Sequence, residues 1–146
     1  MRQQDAVWVE SSDTWRSRIL GPHFARLCRE ATSHYFAEFG LRSVTRVGAT
    51  TVADPSARAG VEIDVIALDP DDRIVAIGEA KYTTTARGID DLARLERARA
   101  LLPTDRGAGC RIILFAANGA NAALRAVVQR RPDVELVDLD RLYGRV

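Results

Sequence analysis

Hydrophobic positions along the chain switch between helical and strand-like spacing. After a break at Gly21-Pro22, apolar residues recur every three or four positions, which predicts an amphipathic helix that ends near Gly40. Before this break, residues 13–20 predict a short helical lead-in that Asp13 caps. Runs rich in β-branched residues then predict three strands, at residues 43–52, 61–68 and 73–82.

The second half of the chain alternates helices with strands. Helical spacing returns at Ile89 and stops before Pro103, and a polar loop, TDRGAG, follows. A continuous apolar run at residues 110–117 is typical of a strand buried on both faces. The remaining elements are predicted as a helix at 119–131, a strand at 134–137 and a helical turn at 138–143. The order α-β-β-β-α-β-α-β predicts an α/β fold with a mixed sheet flanked by helices.

Composition indicates one compact domain. The chain has 146 residues, 47% hydrophobic and 28% charged, so we assign residues 1–146 to a single domain with 1–20 as its N-terminal lead-in. No apolar run approaches the roughly 20 residues that span a bilayer, and the N-terminus lacks a signal-peptide pattern. A cytoplasmic location with no membrane partner is therefore expected. The formal net charge of +1 excludes strong overall attraction to nucleic acid, so any phosphate contact must come from local patches.

Lysine and cysteine are each informative through their number and position. Of the 21 basic side chains only Lys81 is a lysine, which indicates a position that needs a compact, strongly hydrated ammonium. Cys28 and Cys110 fall inside apolar stretches and form no C-x-x-C spacing. Both are predicted to be buried, reduced thiols, and no zinc site is indicated.

Acidic residues fall on two neighbouring predicted strands. Because side chains alternate along a strand, one face of the third strand is predicted to carry Val75, Ile77, Glu79 and Lys81. One face of the second strand is likewise predicted to carry Glu62, Asp64 and Ile66. The two strands are joined by the turn-forming residues Asp69-Pro70-Asp71-Asp72, so a β-hairpin is expected.

The turn predicts how these acids face each other. With the turn centred on residues 71–72, Asp64 lies opposite Glu79, and Glu62 lies opposite Lys81. Two opposed carboxylates repel when they are dry, which favours a hard divalent cation between them. Mg²⁺ suits such a site because it commonly takes one or two carboxylates and keeps several waters. A structural ion cluster at the sheet edge is the alternative interpretation.

The same residues carry a resemblance to a known superfamily. Asp64, followed after fourteen residues by Glu79-Ala80-Lys81, resembles the D…(D/E)-x-K motif of the PD-(D/E)XK nucleases. The surrounding EIDVIA and IGEAKY are similar to Holliday-junction resolvases and Mrr-type restriction nucleases. More narrowly, the chain from Trp15 onwards resembles the nuclease-like domain found C-terminal to archaeal-type AAA ATPases. The resemblance implies a restriction-endonuclease-like α-β-β-β-α-β core.

The resemblance also implies roles and partners. Asp64, Glu79 and the Ala80 carbonyl would hold Mg²⁺ or Mn²⁺. Lys81 would orient the attacking hydroxide or stabilise the transition state. DNA would be the substrate, and hydrolysis would leave a 5′-phosphate. A homodimer and an associated AAA or P-loop ATPase are further expected partners.

The chain departs from the family pattern at two positions. Ile63 stands where the motif has proline, and Ala25 stands where the first helix of the family often carries a glutamate. Glu30 is a candidate auxiliary residue, although it lies well round the predicted helix from Ala25. Glu62 is a second candidate, with a solvated neighbour of Asp64 as the alternative.

Three arginines are candidate nucleic-acid contacts. Arg87, Arg94 and Arg97 fall on one broad face of the second long helix, where they could contact phosphates beside the motif. Asp90 and Asp91 interrupt this face, so a salt-bridged, solvated surface is the alternative.

The sequence therefore predicts a metal-dependent DNA endonuclease-like domain that hydrolyses phosphodiester bonds. The alternative is a catalytically inactive nuclease-fold module that binds DNA or regulates an associated ATPase, which the near-zero net charge and the missing helix acid favour. A third hypothesis is a toxin or defence nuclease that acts only when assembled.

Overall fold

A single five-stranded sheet organises residues 20–144, the part of the chain that the computed structural model describes. The strands are β1 (Arg46–Asp54), β2 (Ala59–Leu68), β3 (Ile74–Lys81), β4 (Arg111–Ala116) and β5 (Val134–Val137). They lie side by side in chain order, antiparallel from β1 to β3 and parallel from β3 to β5. The predicted mixed sheet is therefore confirmed.

Helices cover both faces of this sheet. They are α1 (Gly21–Tyr35), which continues into a 3₁₀ helix (Phe36–Phe39), α2 (Ile89–Ala100), α3 (Thr104–Gly107), α4 (Ala122–Arg130) and α5 (Leu139–Tyr143). On one face, Phe24 and Cys28 of α1 pack in a cluster with Val65 of β2. On the other face, Leu95 of α2 and Leu124 of α4 pack in a second cluster. The element order confirms the α/β class and contains the predicted α-β-β-β-α-β core.

Three details differ from the sequence prediction. β1 begins at Arg46 rather than at residue 43, because its pairing with β2 starts opposite Leu68. The TDRGAG segment, predicted as a plain loop, contains the single helical turn α3. The first helix ends as α-helix at Tyr35, and only its 3₁₀ extension reaches Gly40. Most of the predicted lead-in at residues 13–20 lies outside the described residues.

Both cysteines are buried and free, as predicted. Burial raises the pKa of Cys110 to about 11 and raises the pKa of Cys28 further. Neither thiol is therefore a nucleophile at neutral pH. No helix between residues 20 and 144 combines the length and apolar character needed to cross a membrane.

A β-bulge in β3 corrects the predicted face of Val75. Ala67 pairs with Ala76, but the next residue, Leu68, pairs with Ile74, so Val75 is left over on β3. As a result Val75 packs with the cluster beneath α1, whereas Ile77 belongs to the opposite cluster. The predicted alternation of side chains between the two sheet faces is wrong here, because one extra residue in the strand reverses the face of the residues beyond it.

A second irregularity falls in β2, next to Asp64. Gly48 of β1 pairs with Ile66, and Thr50 pairs with Ile63. Between these two pairs β1 advances by two residues and β2 by three, so β2 contains one extra residue. Ile63 and Ile66 consequently pack towards the same face. Glu62 and Ile66 therefore lie on opposite faces, contrary to prediction.

Gly78 lets β3 approach β4 beside the motif, and its replacement should destabilise the fold. A Cβ there would lie 2.9 Å from the backbone oxygen of Ile113, which cannot rotate away. We expect Gly78→Ala to lower the free energy of unfolding by about 1–3 kcal/mol in urea denaturation. Gly48→Ala in β1 is the matched control, since no atom lies within 4 Å of the position that its Cβ would take. Equal effects of the two substitutions would contradict the steric explanation.

Candidate active site

A cleft opens where β2 and β3 separate. The predicted hairpin register is confirmed up to the pair Val65–Gly78, and no described pair continues it to Asp64 and Glu79. Beyond that point the gap between the strands forms a cleft of about 440 Å³. Its charged lining residues are Arg29, Glu62, Asp64, Glu79, Lys81 and Arg94. The three motif residues are thus brought to one cavity.

Asp64 is fixed between β3 and α1. Its Oδ2 accepts a hydrogen bond from the backbone N–H of Ala80 at 2.9 Å. Its backbone oxygen accepts one from the guanidinium of Arg29 on α1 at 3.0 Å. The carboxylate of Asp64 therefore links β2 to β3 beyond their last ladder pair. Its second oxygen, Oδ1, takes no part in these two hydrogen bonds.

Glu79 is a buried carboxylate with one satisfied oxygen. The residue is 5% exposed. Its Oε1 lies 3.3 Å from Nζ of Lys81 and also forms an ion pair with Arg94. Its Oε2 is buried and has no hydrogen-bond partner among residues 20–144. A buried, unpaired carboxylate oxygen is costly, so this atom marks a place for a further ligand.

The cleft contains oxygen atoms of the kind that hard divalent cations take as ligands. Oε2 of Glu79 lacks a partner, and Asp64 supplies a second carboxylate. The third candidate oxygen is the backbone carbonyl of Ala80, the strand residue between Glu79 and Lys81. Within the described part of the chain, no group of three or more His, Cys, Asp or Glu could hold a metal. Two carboxylates and one carbonyl suit Mg²⁺ or Mn²⁺, which fill their remaining positions with water.

Two cations share the cleft with these acids. The side chains of Lys81 and Arg94 are 35% and 48% exposed, so both extend from the buried Glu79 towards solvent. Both form ion pairs with Oε1 of Glu79, so the buried carboxylate has two cations beside it. They also provide positive groups that a phosphate entering the cleft would meet.

The auxiliary acids are separated by the fold. Glu62 is exposed and lines the cleft with Asp64. Glu30 lines a different groove, with His34 and Tyr143. The face of α1 that meets the cleft carries Ala25 and Arg29 instead, so a cation stands one turn from the missing helix acid.

Of the three candidate arginines, only Arg94 lines the cleft. Arg87 precedes α2 and does not lie on it, contrary to prediction, and it is bound by Asp91 at 3.1 Å and by the Thr83 hydroxyl at 2.8 Å. Arg97 donates to both carboxylate oxygens of Asp54, at 2.8 and 3.2 Å. These hydrogen bonds lower the pKa of Asp54. Phosphate contacts by Arg87 and Arg97 stay a prediction, and both would require rearranged ion pairs.

Arg29 is a site residue that sequence reasoning missed. It was one of twenty arginines, and nothing in its spacing distinguishes it from the others. The available signal is its position four residues after Ala25, which places the two side chains on one helical face. Once Ala25 is placed in the cleft, the helical spacing places Arg29 there as well.

Comparison with known proteins gives two distant structural matches. No family model and no curated protein sequence matches the chain. A crystal structure of a repair endonuclease from Pyrococcus abyssi matches 75% of this chain with a TM-score of 0.45 and 18% identity. The structure of an EndoMS–dsDNA2 complex matches 75% of this chain with a TM-score of 0.42 and 18% identity. The chain spans 44% of the length of each of these proteins.

Proposed function

We propose that this chain is a metal-dependent DNA endonuclease-like domain of the PD-(D/E)XK kind that hydrolyses phosphodiester bonds. The observation that carries the proposal is Oε2 of Glu79, a buried and unpartnered oxygen in a cleft shared with Asp64 and Lys81. A purely structural ion cluster would pair that oxygen, because a buried polar atom without a hydrogen-bond partner is costly.

Each residue of the cleft has a distinct task in this proposal. Asp64, Glu79 and the Ala80 carbonyl hold Mg²⁺ or Mn²⁺, and Arg29 positions Asp64 through its backbone oxygen. When bound, the metal lowers the pKa of a coordinated water and neutralises charge on the phosphate. Lys81 holds its ammonium at the mouth of the cleft, where it orients the attacking water or stabilises the transition state.

Calorimetric titration of Mg²⁺ and of Mn²⁺ tests this proposal directly. The wild type is compared with the isosteric double variant Asp64→Asn/Glu79→Gln, and the same proteins are assayed for cleavage of junction and duplex DNA. Metal binding and cutting by the wild type, both lost in the variant, are expected. Absence of metal binding in the wild type would refute the proposal.

A catalytically inactive module is the second candidate, and the positive charges of the cleft favour it. Arg94 and Lys81 already compensate Glu79, and Ala25 supplies no further acid. Such a module would bind DNA, or an AAA or P-loop ATPase, without turnover. DNA binding in the presence of EDTA, combined with no calorimetric metal signal, would favour this candidate over the nuclease.

Assembly is part of the first proposal. Two copies would be needed to cut both strands of a duplex, so a cytoplasmic homodimer on DNA is expected. Sedimentation of the protein with and without a duplex measures this. A monomer in both conditions would limit the activity to one strand.

Arg94 is expected to affect metal and DNA in opposite directions. Its guanidinium pairs with Oε1 of Glu79, so its positive charge opposes a divalent cation on the same carboxylate, and a displaced guanidinium could contact phosphate. We expect Arg94→Ala to tighten Mg²⁺ binding by about three- to tenfold and to weaken DNA binding by a similar factor. Calorimetry and fluorescence anisotropy measure the two.

Arg97→Ala is the matched control for Arg94, because Arg97 lies on the same helix and is held by Asp54 outside the cleft. The Mg²⁺ affinity of the Arg97→Ala variant should equal that of the wild type. Weaker Mg²⁺ binding in Arg94→Ala would contradict competition and would assign Arg94 to holding Glu79 in place.

A further inference from the structure

A second charged groove lies at the opposite end of β3. It has a volume of about 550 Å³ and lies where β3 and β4 begin, beside Ile74 and Arg111. Its charged lining consists of four arginines and two aspartates: Arg42, Arg73, Arg106, Arg111, Asp69 and Asp105. Four arginines against two aspartates give the lining an excess of two positive charges.

Two of these arginines are held in place by backbone and side-chain acceptors. Arg106 donates through Nε and a terminal nitrogen to the backbone oxygen of Asp72, at 3.1 and 2.9 Å. Arg111 donates to the backbone oxygen of Pro132 and to a carboxylate oxygen of Glu135, both at 2.6 Å. Fixed guanidinium groups bind a ligand with little further loss of side-chain entropy.

The other two arginines are available for a ligand. Arg42 and Arg73 are exposed, and neither side chain has an ion pair or hydrogen bond within the described residues. Asp69 also lines the groove, and its carboxylate is held at the turn because Oδ1 accepts from the backbone N–H groups of Asp71 and Arg73, at 2.8 and 3.0 Å. The groove therefore offers unpaired positive charge next to positioned guanidiniums.

We propose that this groove binds phosphate groups of a nucleic-acid backbone, independently of sequence. Arginine is suited to phosphate because its planar donors can pair with two oxygens at once. No aromatic side chain of the described part lines the groove, so it offers no platform on which bases could stack. Contacts limited to phosphates position a nucleic acid without reading its bases.

The groove and the cleft are separate sites. β3 runs from Ile74 beside the groove to Lys81 in the cleft, which is a distance of about 23 Å at the usual rise of a strand. The groove would therefore hold a different stretch of nucleic acid from the one in the cleft. This inference does not depend on metal binding or on cleavage.

Fluorescence anisotropy with a labelled DNA duplex in EDTA tests the proposal, since EDTA excludes metal binding and cutting. The variant is Arg42→Ala/Arg73→Ala. The matched control is Arg125→Ala/Arg130→Ala, which removes the same charge from exposed positions of α4. Neither pair makes a described side-chain contact, so both variants are expected to fold.

We expect the groove variant to bind the duplex about ten- to hundredfold more weakly at low salt. The slope of log affinity against log salt should fall in magnitude by about 2, because two phosphate contacts are lost. The control pair should keep the wild-type slope. An unchanged slope in the groove variant, or an equal change in the control pair, would overturn the proposal. So would stronger competition by a phosphoserine peptide than by unlabelled duplex of unrelated sequence.

Discussion

Replacing Lys81 by alanine should lower the rate of DNA cleavage by about 10²- to 10³-fold while leaving the metal in place. The ammonium lies 3.3 Å from Oε1 of Glu79, and the side chain is 35% exposed, so in the proposed mechanism it is accessible to a phosphate in the cleft. Removal of one positioned donor from a transition state has an effect of this size. Single-turnover cleavage at saturating Mg²⁺ measures the rate, and calorimetry on the same protein measures metal affinity.

The effect should be specific to the position of Lys81 and not to charge alone. Lys81→Arg keeps the charge but replaces a compact ammonium by a larger planar group, so we expect it to recover only part of the rate. Arg125→Ala removes a charge from the exposed face of α4 and should cleave at the wild-type rate. Cleavage by Lys81→Ala at the wild-type rate would exclude Lys81 from the chemistry.

The pairing of β2 with β3 could be predicted from the sequence because a local turn determines it. Asp71 and Asp72 centre the connection, and the register that follows from this centre is observed from Ala67–Ala76 to Val65–Gly78. The turn chemistry and the two flanking apolar runs agree with each other. Local signals of this kind do not depend on the rest of the fold.

The bulges could not be predicted, because a strict period of two contains no extra residue. Val75 occupies the bulge in β3, and its side chain fits the cluster beneath α1. The irregularity beside Asp64 depends in the same way on how β1 and β2 pack together. The predicted faces were therefore wrong at both places, although the strands themselves were predicted correctly.

The cleft shows the same division between local and long-range information. Asp64, Glu79 and Lys81 converge because they lie at the open end of one hairpin, which the sequence predicts. The burial of Glu79 and the contact of Arg29 with Asp64 arise from helices that pack on the sheet. Contacts between elements distant in the chain have no periodic signal in a single sequence, so these features required the structure.

The hydrogen bond between Asp64 and Ala80 allows catalysis to be separated from folding. In Asp64→Asn the amide oxygen can still accept from the N–H of Ala80, so the end of the ladder stays bridged while the negative charge is lost. We expect cleavage to fall by about 10³-fold or more, with Mg²⁺ affinity falling as well, because one of the two carboxylates proposed to hold the metal is gone. The free energy of unfolding should change by less than about 0.5 kcal/mol in urea denaturation.

Asp64→Ala is the contrasting variant, because it removes the acceptor together with the charge. The N–H of Ala80 then loses its partner at the wall of the cleft, and stability should fall by about 1–3 kcal/mol in addition to the loss of cleavage. If Asp64→Asn were destabilised as much as Asp64→Ala, the negative charge itself would hold the cleft together. If Asp64→Asn bound Mg²⁺ with wild-type affinity, the metal would not be held by Asp64, and the buried oxygen of Glu79 would need another partner.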